Sequence, residues 1–471
     1  MAELIQRNRV NAPSSIIAGS HCPNYEQMHQ LLASHEYFAT CPCPGLVVRC
    51  CLMPRLKALL LVWSVVAAVA AHAAEIDLSE NQAIALFYAR NLDLIAARYS
   101  LEQSKAQQIV ARAVPNPVFG VGVAQLDTTH NAGNSGAGPA AGFSVSQLIE
   151  TAGKRRLRME SSALGTSAAE NDLADAMRTL SAAVRHAFYA LLLSQQDTAV
   201  AQEAVDRYAR IVALNEIRLT HGDIAQSDLW RLKVEALKAR SELLSAQTAG
   251  VKAHVDLATL LRWPDDVMDF RVEGEWPRAR AFADEPADTL LARALEQRPD
   301  LQSARKQAAK AEKDLHLARR SAIPDVTISG GYAHDPNNIN TETANLGVSV
   351  QVPLFYRNEG EVRKAEIAVD SAQLQIQQLA QAVRADITNR VAVWRSASAI
   401  VDAFERDALQ QVKDIRDGAE LSYQKGQTGI LDLIDAQRDF REVMREFHNV
   451  LYNRTSAYID LQAALASEVN P

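Results

Sequence analysis

The sequence has little cysteine, few aromatic residues and only one long apolar run. The scarcity of each feature excludes a class of protein. All five cysteines lie within the first 51 residues, so the chain beyond them can form neither disulfides nor thiolate metal sites. Aromatic residues make up 6% of the chain. With alanine plentiful, this composition favours long helices packed through thin contacts over one compact globular core.

The one long apolar run lies near the N-terminus and predicts an export signal. Arg55 and Lys57 form a charged start, residues 58–71 are almost wholly apolar, and Ala73 ends a small-residue exit. This order of charged, apolar and small segments is typical of a secretory signal peptide. We therefore predict a signal peptide over residues 53–74.

The segments on either side of the predicted signal carry further expectations. Cleavage would leave Ala74 or Glu75 at the mature N-terminus, and the lack of a cysteine there argues against a lipid anchor. Residues 1–52 have no periodic pattern. We expect that they result from a start codon assigned too far upstream, and that they have no ordered structure. The alternative is a transmembrane anchor over residues 56–74 with a cytoplasmic domain before it. It is weaker because a spanning helix needs about 20 apolar residues.

The charge of the chain is mildly negative. Removing residues 1–73 leaves 44 of the 49 basic and 53 of the 56 acidic residues, a net charge of −9. An exported acidic protein without a basic patch is a poor nucleic-acid binder. No later apolar run is long enough for a membrane helix, so crossing a membrane would require a barrel.

The second half of the chain repeats the first at an offset that drifts from 207 to 204 residues. The matching residues are Asp93 with Asp300, Pro117 with Pro324, Gly222 with Gly426, and Asp228 with Asp432. We predict a first repeat over residues 75–262, a linker over 263–286 and a second repeat over 287–467. Each repeat reads helix, strand, loop, strand, long helix, turn, helix. Two strands cannot close a sheet alone, so such a chain needs partners.

The helical parts follow a heptad pattern. In the first repeat the seam residues are spaced alternately three and four apart: Leu94, Ala97, Leu101, Ser104, Gln108 and Ala111. A helix over residues 154–219 would be roughly 100 Å long. These patterns predict a mainly α protein with long coiled-coil helices and a small β part.

Four short strands are expected, at about residues 116–126, 142–149, 325–334 and 344–352. In each, apolar residues alternate with small or polar ones, so one face is apolar. A half-buried soluble sheet would show the same pattern, but the export signal and polar loops favour a membrane barrel. A symmetric trimer would supply twelve strands to such a barrel.

The segment from Tyr423 to Arg438, YQKGQTGILDLIDAQR, resembles the signature of the TolC-like outer-membrane factors of tripartite efflux pumps. With the duplication, the resemblance covers residues 75–465. It implies a periplasmic gate with Tyr423 as gate tyrosine and Asp432 and Asp435 as ring acids. Asp228 is the first-repeat counterpart of Asp432. The chain departs from its relatives at Thr428, where they carry an arginine that locks the gate.

The residues themselves allow two interpretations of this segment. Asp432 and Asp435 share one helix face, so threefold symmetry would gather six carboxylates that attract cations. From spacing alone, acids in a first helical turn are better explained as complements of the helix dipole; the resemblance favours the ring. Gly222 and Gly426 are expected at the hairpin turns, where an adaptor would make contact.

The substrate is less visible in the sequence. Glu150 with Gly153-Lys154-Arg155 resembles the junction of the cobalt-zinc-cadmium branch of the family, although Lys154 and Arg155 could equally be interfacial cations. Histidines are scattered singly and methionines are few, so no metal site and no cofactor are expected. No Ser-His-Asp signature or phosphate-binding glycine loop points to an enzyme.

These observations predict the outer-membrane channel of a resistance-nodulation-division efflux pump, a homotrimer with a periplasmic tunnel. It would export divalent heavy-metal cations with a periplasmic adaptor, an inner-membrane pump and the surrounding outer-membrane lipid as partners. One alternative is a channel for multidrug or organic-solute efflux or for type I secretion. Another, of a different class, is a secreted coiled-coil adaptor or scaffold that forms no barrel.

Overall fold

The computed structural model describes residues 76–124, 139–264, 270–277, 282, 285–336 and 341–466. The predicted signal peptide and residues 1–52 lie outside these ranges, as does most of the loop between the first two long strands. The described helices are α1 (Glu80–Arg90), α2 (Leu92–Arg112), α3 (Lys154–His221), α4 (Gln226–Leu261), α5 (Ala287–Gln297), α6 (Pro299–Ser321), α7 (Glu359–Ala403), α8 (Leu409–Gln424) and α9 (Ile430–Ala464). The strands are β1 (Ile76–Leu78), β2 (Val118–Ala124), β3 (Ala140–Ile149), β4 (Phe270–Val272), β5 (Val326–His334) and β6 (Glu342–Val350).

The duplication is visible in the order of elements. Helices α1 and α2, strands β2 and β3, and helices α3 and α4 recur as α5 and α6, β5 and β6, and α7 to α9. Helix α3 has 68 residues and is therefore about 100 Å long. Its counterpart is interrupted, because a π-helical turn over Phe404–Ala408 separates α7 from α8.

Four strands form one antiparallel sheet in the order β2-β3-β5-β6. Pro117 directly precedes β2, and Pro324 comes two residues before β5. Because proline has no amide hydrogen to donate to a helix, each proline lies where a helix has ended and a strand begins. β6 begins at Glu342, two residues before the expected start, because Glu342 still pairs with His334 across the hairpin. Within the described residues, β2 and β6 are the two edges of this sheet and pair on one side only.

The two faces of the sheet differ in chemistry. The register places Val121 opposite Phe143, Phe143 opposite Tyr332, and Ile328 opposite Val348 on one face, and their side chains are exposed. The other face carries small and polar residues, including Ser144, Ser146, Gly331, Ser329 and Gly347. The alternation in the sequence therefore becomes one apolar and one polar sheet face.

A second sheet was not predicted from the sequence. β1 pairs in parallel with β4, with Ile76 opposite Phe270 and Leu78 opposite Val272. β4 lies inside the predicted linker, and its Phe270 and Val272 are buried with Leu78 in a core that includes Phe87 and Phe188. Strands of three residues are too short to show an alternating pattern.

The long helices form an ordered array below the four-stranded sheet. α3 packs against α4 on one side and α9 on the other, and α9 packs against α7 and α8. Near the sheet, α6 packs against α3 and α7. Nearer the turns, α4 and the α7–α8 pair are the two edges of the array. Among the described helices, none combines the length and apolar character needed to span a membrane.

Candidate functional site

The two hairpins of the array end in the same kind of turn. Gly222 has φ of 80° and Gly426 has φ of 73°, a left-handed conformation that favours residues without a Cβ. The Gly222 amide donates to the Leu219 carbonyl at 3.0 Å, and the Gly426 amide donates to the Tyr423 carbonyl at 3.0 Å. Both glycines therefore cap the preceding helix and reverse the chain.

Tyr423 lies one turn before the second of these glycines and joins α8 to α3. Its side chain is 7% exposed, and its hydroxyl donates to Asn215 Oδ1 at 2.5 Å. Asn215 is fully buried, and its Nδ2 donates to the Ile211 carbonyl at 2.8 Å. The Arg218 guanidinium carbon lies 5.4 Å from the Tyr423 ring centre, within the range of cation–π attraction.

Arg218 makes a second contact across the same pair of helices. Its Nη2 donates to the Gln424 carbonyl at 2.9 Å, so α3 holds the C-terminus of α8 through a backbone atom as well as through the Tyr423 ring. A cation at this position also complements the dipole of α8. Asn215, Arg218 and Tyr423 together form what we term the tip contact.

The acidic residues predicted from the resemblance lie on a different surface. Asp432 is exposed and accepts a hydrogen bond from the Gly429 amide at 3.3 Å at the start of α9. Asp435 Oδ1 lies 3.2 Å from Arg438, and both side chains are about 60% exposed. Asp228, in the first turn of α4, lies 3.8 Å from Arg231. Among the described residues, no hydrogen bond joins Tyr423 to these carboxylates.

The sequence did not predict the surroundings of Thr428 or two residues of the tip contact, Asn215 and Arg218. The Thr428 hydroxyl is buried without a hydrogen-bond partner in the described part of the chain. The arginine beside the Tyr423 ring is Arg218 of α3. Neither Asn215 nor Arg218 is duplicated in the second repeat, where Ala419 and Ser422 occupy the matching positions, so the repeat gave no signal for them.

Above the tip contact, α3 and α9 are joined by charged and aromatic pairs. Arg441 Nη1 donates to the Tyr208 hydroxyl at 3.3 Å. Burial raises the pKa of Tyr208, and the Arg441 hydrogen bond and charge only partly oppose that rise.

Two histidines join the same pair of helices. His448 Nδ1 lies 2.9 Å from Asp197 Oδ1, and His186 Nε2 lies 3.1 Å from Asp460 Oδ1. Burial raises the pKa of Asp460, but its contacts with His186 and Arg390 outweigh burial, so its pKa lies below the usual value. Within the described ranges, no group of three His, Cys, Asp or Glu side chains could hold a metal ion.

The junction between the helices and the four-stranded sheet is held by Lys154 and its neighbours. Lys154 Nζ donates to Asp325 Oδ1 at 2.9 Å and to the Ile323 carbonyl at 2.6 Å. Arg158 and Glu150 form a two-pronged pair at 2.5 and 3.0 Å, and Arg155 donates to the Arg112 carbonyl at 2.9 Å. Arg155 and Arg158 both satisfy carbonyls left open at the end of α2.

Solved structures with this arrangement are outer-membrane channels. The chain matches a structure of CusC with a TM-score of 0.69 and 18% identity, over 83% of this chain and 93% of that one. It matches VceC of Vibrio cholerae with a TM-score of 0.66 and 19% identity, over 82% and 96%. The shared fold is a mainly α, duplicated chain with a four-stranded sheet beside long helical hairpins, which confirms the predicted fold class.

The family follows from the sequence comparison. The chain belongs to the outer membrane efflux protein family, whose model matches residues 83–261 and 290–467. It is 25% identical to the cobalt-zinc-cadmium resistance protein CzcC of Cupriavidus metallidurans over 385 residues, covering 79% of this chain and 86% of that protein. It is 23% identical to the pyoverdine export protein OpmQ of Pseudomonas aeruginosa, covering 79% and 82%. The resemblance to TolC-like factors is confirmed, and the chain is an efflux channel, not an enzyme.

Proposed function

We propose that three copies of this chain form the outer-membrane channel of a resistance-nodulation-division efflux pump for divalent heavy-metal cations. The observation that carries the metal substrate is the match to CzcC across four-fifths of the chain. The weaker match to the cation efflux protein CusC of Escherichia coli, 21% identical over 296 residues, points the same way.

The sheet supports a barrel shared by several copies. Among the described strands, its two edges β2 and β6 pair on one side only, and a membrane tolerates no unpaired strand edge. Three copies supply twelve strands, an even number within the range of outer-membrane barrels. The apolar face with Phe143 and Val348 would contact lipid, and the serine-bearing face would line the water-filled passage.

The turns support a gate at the far end of the helices. Tyr423 holds α8 against α3 through Asn215 and Arg218, which keeps the two hairpins together and the passage narrow. Asp432 and Asp435 are exposed near the turn, where threefold symmetry would gather them into a ring that attracts cations. Asp228, the first-repeat counterpart of Asp432, would add a third carboxylate from each copy to this ring. A periplasmic adaptor would contact the turns at Gly222 and Gly426 and draw the hairpins apart.

The substrate is passed along and not bound. Two histidines of the described helices, His186 and His448, each lie beside an aspartate, and the proposed conduit makes and breaks no bonds. A second substrate class is supported by OpmQ, a pyoverdine exporter that this chain matches over a similar length. Organic solutes are therefore the alternative cargo.

Growth of a deletion strain separates these cargoes. The strain is grown with zinc, cobalt, cadmium, nickel or copper, and in parallel with several drugs and an iron-chelating siderophore. The proposal expects sensitivity to zinc, cobalt and cadmium that a plasmid copy of the chain relieves. Sensitivity confined to the organic compounds would reject the metal proposal.

The mobility of the extracted protein on gels tests the channel itself. A detergent-extracted trimeric barrel should migrate as a compact species until it is boiled. A secreted adaptor or scaffold with the same heptads would be monomeric and water-soluble without detergent. That result would remove the channel proposal altogether.

A further inference from the structure

A cavity of about 440 Å³ lies along α3, between α4 and α9, and we call it the alanine groove. It extends along α3 from Ala201 to Ala190, which is about 16 Å at 1.5 Å per residue. Most of its lining side chains are small, including Ala190, Ser194, Ala201, Ser245, Ala249 and Ala253. A volume of this size is within the range of small-molecule binding sites.

The end of the alanine groove nearer the turns is charged. Arg441 of α9 lines this end and is 6% exposed. Its Nε donates to Glu242 Oε2 at 3.2 Å, and its Nη1 donates to the Tyr208 hydroxyl at 3.3 Å. Its Nη2 makes no hydrogen bond to any residue that the structure describes. A largely buried guanidinium with an unused donor is suited to bind an acceptor atom of a ligand.

Arg445 lies one turn further along α9 and lines the same groove. Among the described residues it has no acidic partner. The two carboxylates of the lining are bonded elsewhere, Glu242 to Arg441 and Asp197 to His448 Nδ1 at 2.9 Å. Like charges four residues apart on a helix repel each other. An anion between the two arginines would offset that repulsion.

The opposite end of the alanine groove is apolar. Because α3 and α4 are antiparallel, Ala190 and Leu193 of α3 line this end together with Ala249 and Ala253 of α4. Burial of alkyl groups against such a surface is favourable. The groove therefore has cations at one end and apolar walls at the other, which complements an elongated amphipathic anion.

We propose that the alanine groove binds an amphipathic carboxylate. The carboxylate head accepts hydrogen bonds from Arg441 and Arg445, because planar guanidinium groups match carboxylate geometry. The alkyl tail lies along the alanines toward the far end. The site is built from three helices of one copy, so it depends neither on the trimer nor on the proposed metal cargo.

Decanoate is the probe that tests the site. The full protein in lipid nanodiscs is titrated with radiolabelled decanoate, and empty nanodiscs measure the share that enters the lipid. Binding to the native protein should saturate at one decanoate per chain. Arg445→Gln should weaken binding about tenfold or more, because it removes a charge-assisted hydrogen bond. Ala249→Leu should weaken it as well, because the larger side chain fills the apolar end. Both positions are exposed, whereas the buried Arg441 is left unchanged to protect the fold.

Two variants outside the groove are the matched controls. Arg240→Gln removes an exposed arginine of α4, and Ala199→Leu adds the same bulk at an exposed position of α3. Neither position lines the groove, so both variants should bind decanoate as the native protein does. Decyltrimethylammonium, whose head has the opposite charge, should not compete.

Two results would overturn the proposed site. One is the absence of saturable decanoate binding to the native protein. The other is binding by both Arg445→Gln and Ala249→Leu that equals binding by the native protein. Either result would leave the channel proposal intact, because that proposal is tested by trimer formation and metal sensitivity.

Discussion

The Tyr423 hydroxyl donates a hydrogen bond to Asn215 Oδ1 at 2.5 Å, and both side chains are buried between α8 and α3. Tyr423→Phe removes this bond and leaves a buried amide oxygen unpaired, at a cost of about 1–3 kcal/mol. The hairpins should separate more readily. Single-channel recordings in planar bilayers should show a larger open fraction than the native protein.

Tyr208→Phe is the matched control for that experiment. Tyr208 is also buried and bonded across α3 and α9, through Arg441, but it lies higher on the helices than the turns. The conductance of the Tyr208→Phe channel should equal that of the native channel. If both phenylalanine variants conduct alike, Tyr423 has no special part in closure.

The exposed acids at the start of α9 make a separate prediction. Asp432→Asn with Asp435→Asn removes six charges from a trimer, so block by multivalent cations should weaken several-fold while the fold is kept. Asp256→Asn, on an exposed position near the other end of α4, should leave block unchanged. Undiminished block in the double variant would exclude these carboxylates from the passage.

The turn glycine predicts a cost in backbone strain. Gly222→Ala forces a Cβ into a left-handed conformation, although nothing lies within 4 Å of the added atom, so the loss is conformational and about 1 kcal/mol. Gly418→Ala, in a helix with equal space around it, should stabilise by a similar amount. Melting temperatures of the two variants should shift in opposite directions.

The junction below the sheet predicts a dependence on Lys154. Its side chain is 10% exposed, and its partner Asp325 is 25% exposed. Lys154→Met leaves the Ile323 carbonyl without its side-chain donor and leaves Asp325 with the Thr151 amide at 2.8 Å but without its cation, which should cost about 1–3 kcal/mol. Lys105→Met removes an exposed pair with Glu102 and should cost under about 1 kcal/mol. Thermal unfolding followed by circular dichroism compares them.

The lowered pKa of Asp460 predicts how stability changes with acid. A carboxyl with a folded pKa below its unfolded value of about 4 stabilises the protein above that value, and the contribution is lost as pH falls through the folded pKa. Asp460→Asn should therefore lower the melting temperature at pH 7, and the gap should close as the pH falls from about 4 through the folded pKa of Asp460. Asp93→Asn, at an exposed site in the first turn of α2, should show a smaller gap, because an exposed acid gains only a little from the helix dipole. A gap that widens in acid would contradict the assigned sign.

The sequence predicted those parts of the structure that leave a long or repeated local pattern in the chain. Helix α3 and the glycine turns were predictable because heptads and αL glycines are local signals that repeat. The roles of Asn215 and Arg218 were not predictable, because these residues contact Tyr423 and Gln424 only once α3 packs beside α8. β1 and β4 were missed because a parallel pair of three-residue strands depends on burial beside Phe87 and Phe188, and no local period records that.

The parallel pair of Ile76 with Phe270 joins the start of the first repeat to the segment that follows it. A polypeptide threaded through a secretion pore from its N-terminus delivers residue 76 long before residue 270. The small sheet, and the core of Leu78 and Val272 that it completes, can therefore assemble only after more than half of the chain has emerged. Until then the apolar residues of this core stay exposed, and exposed apolar surface makes a partly folded chain prone to aggregation.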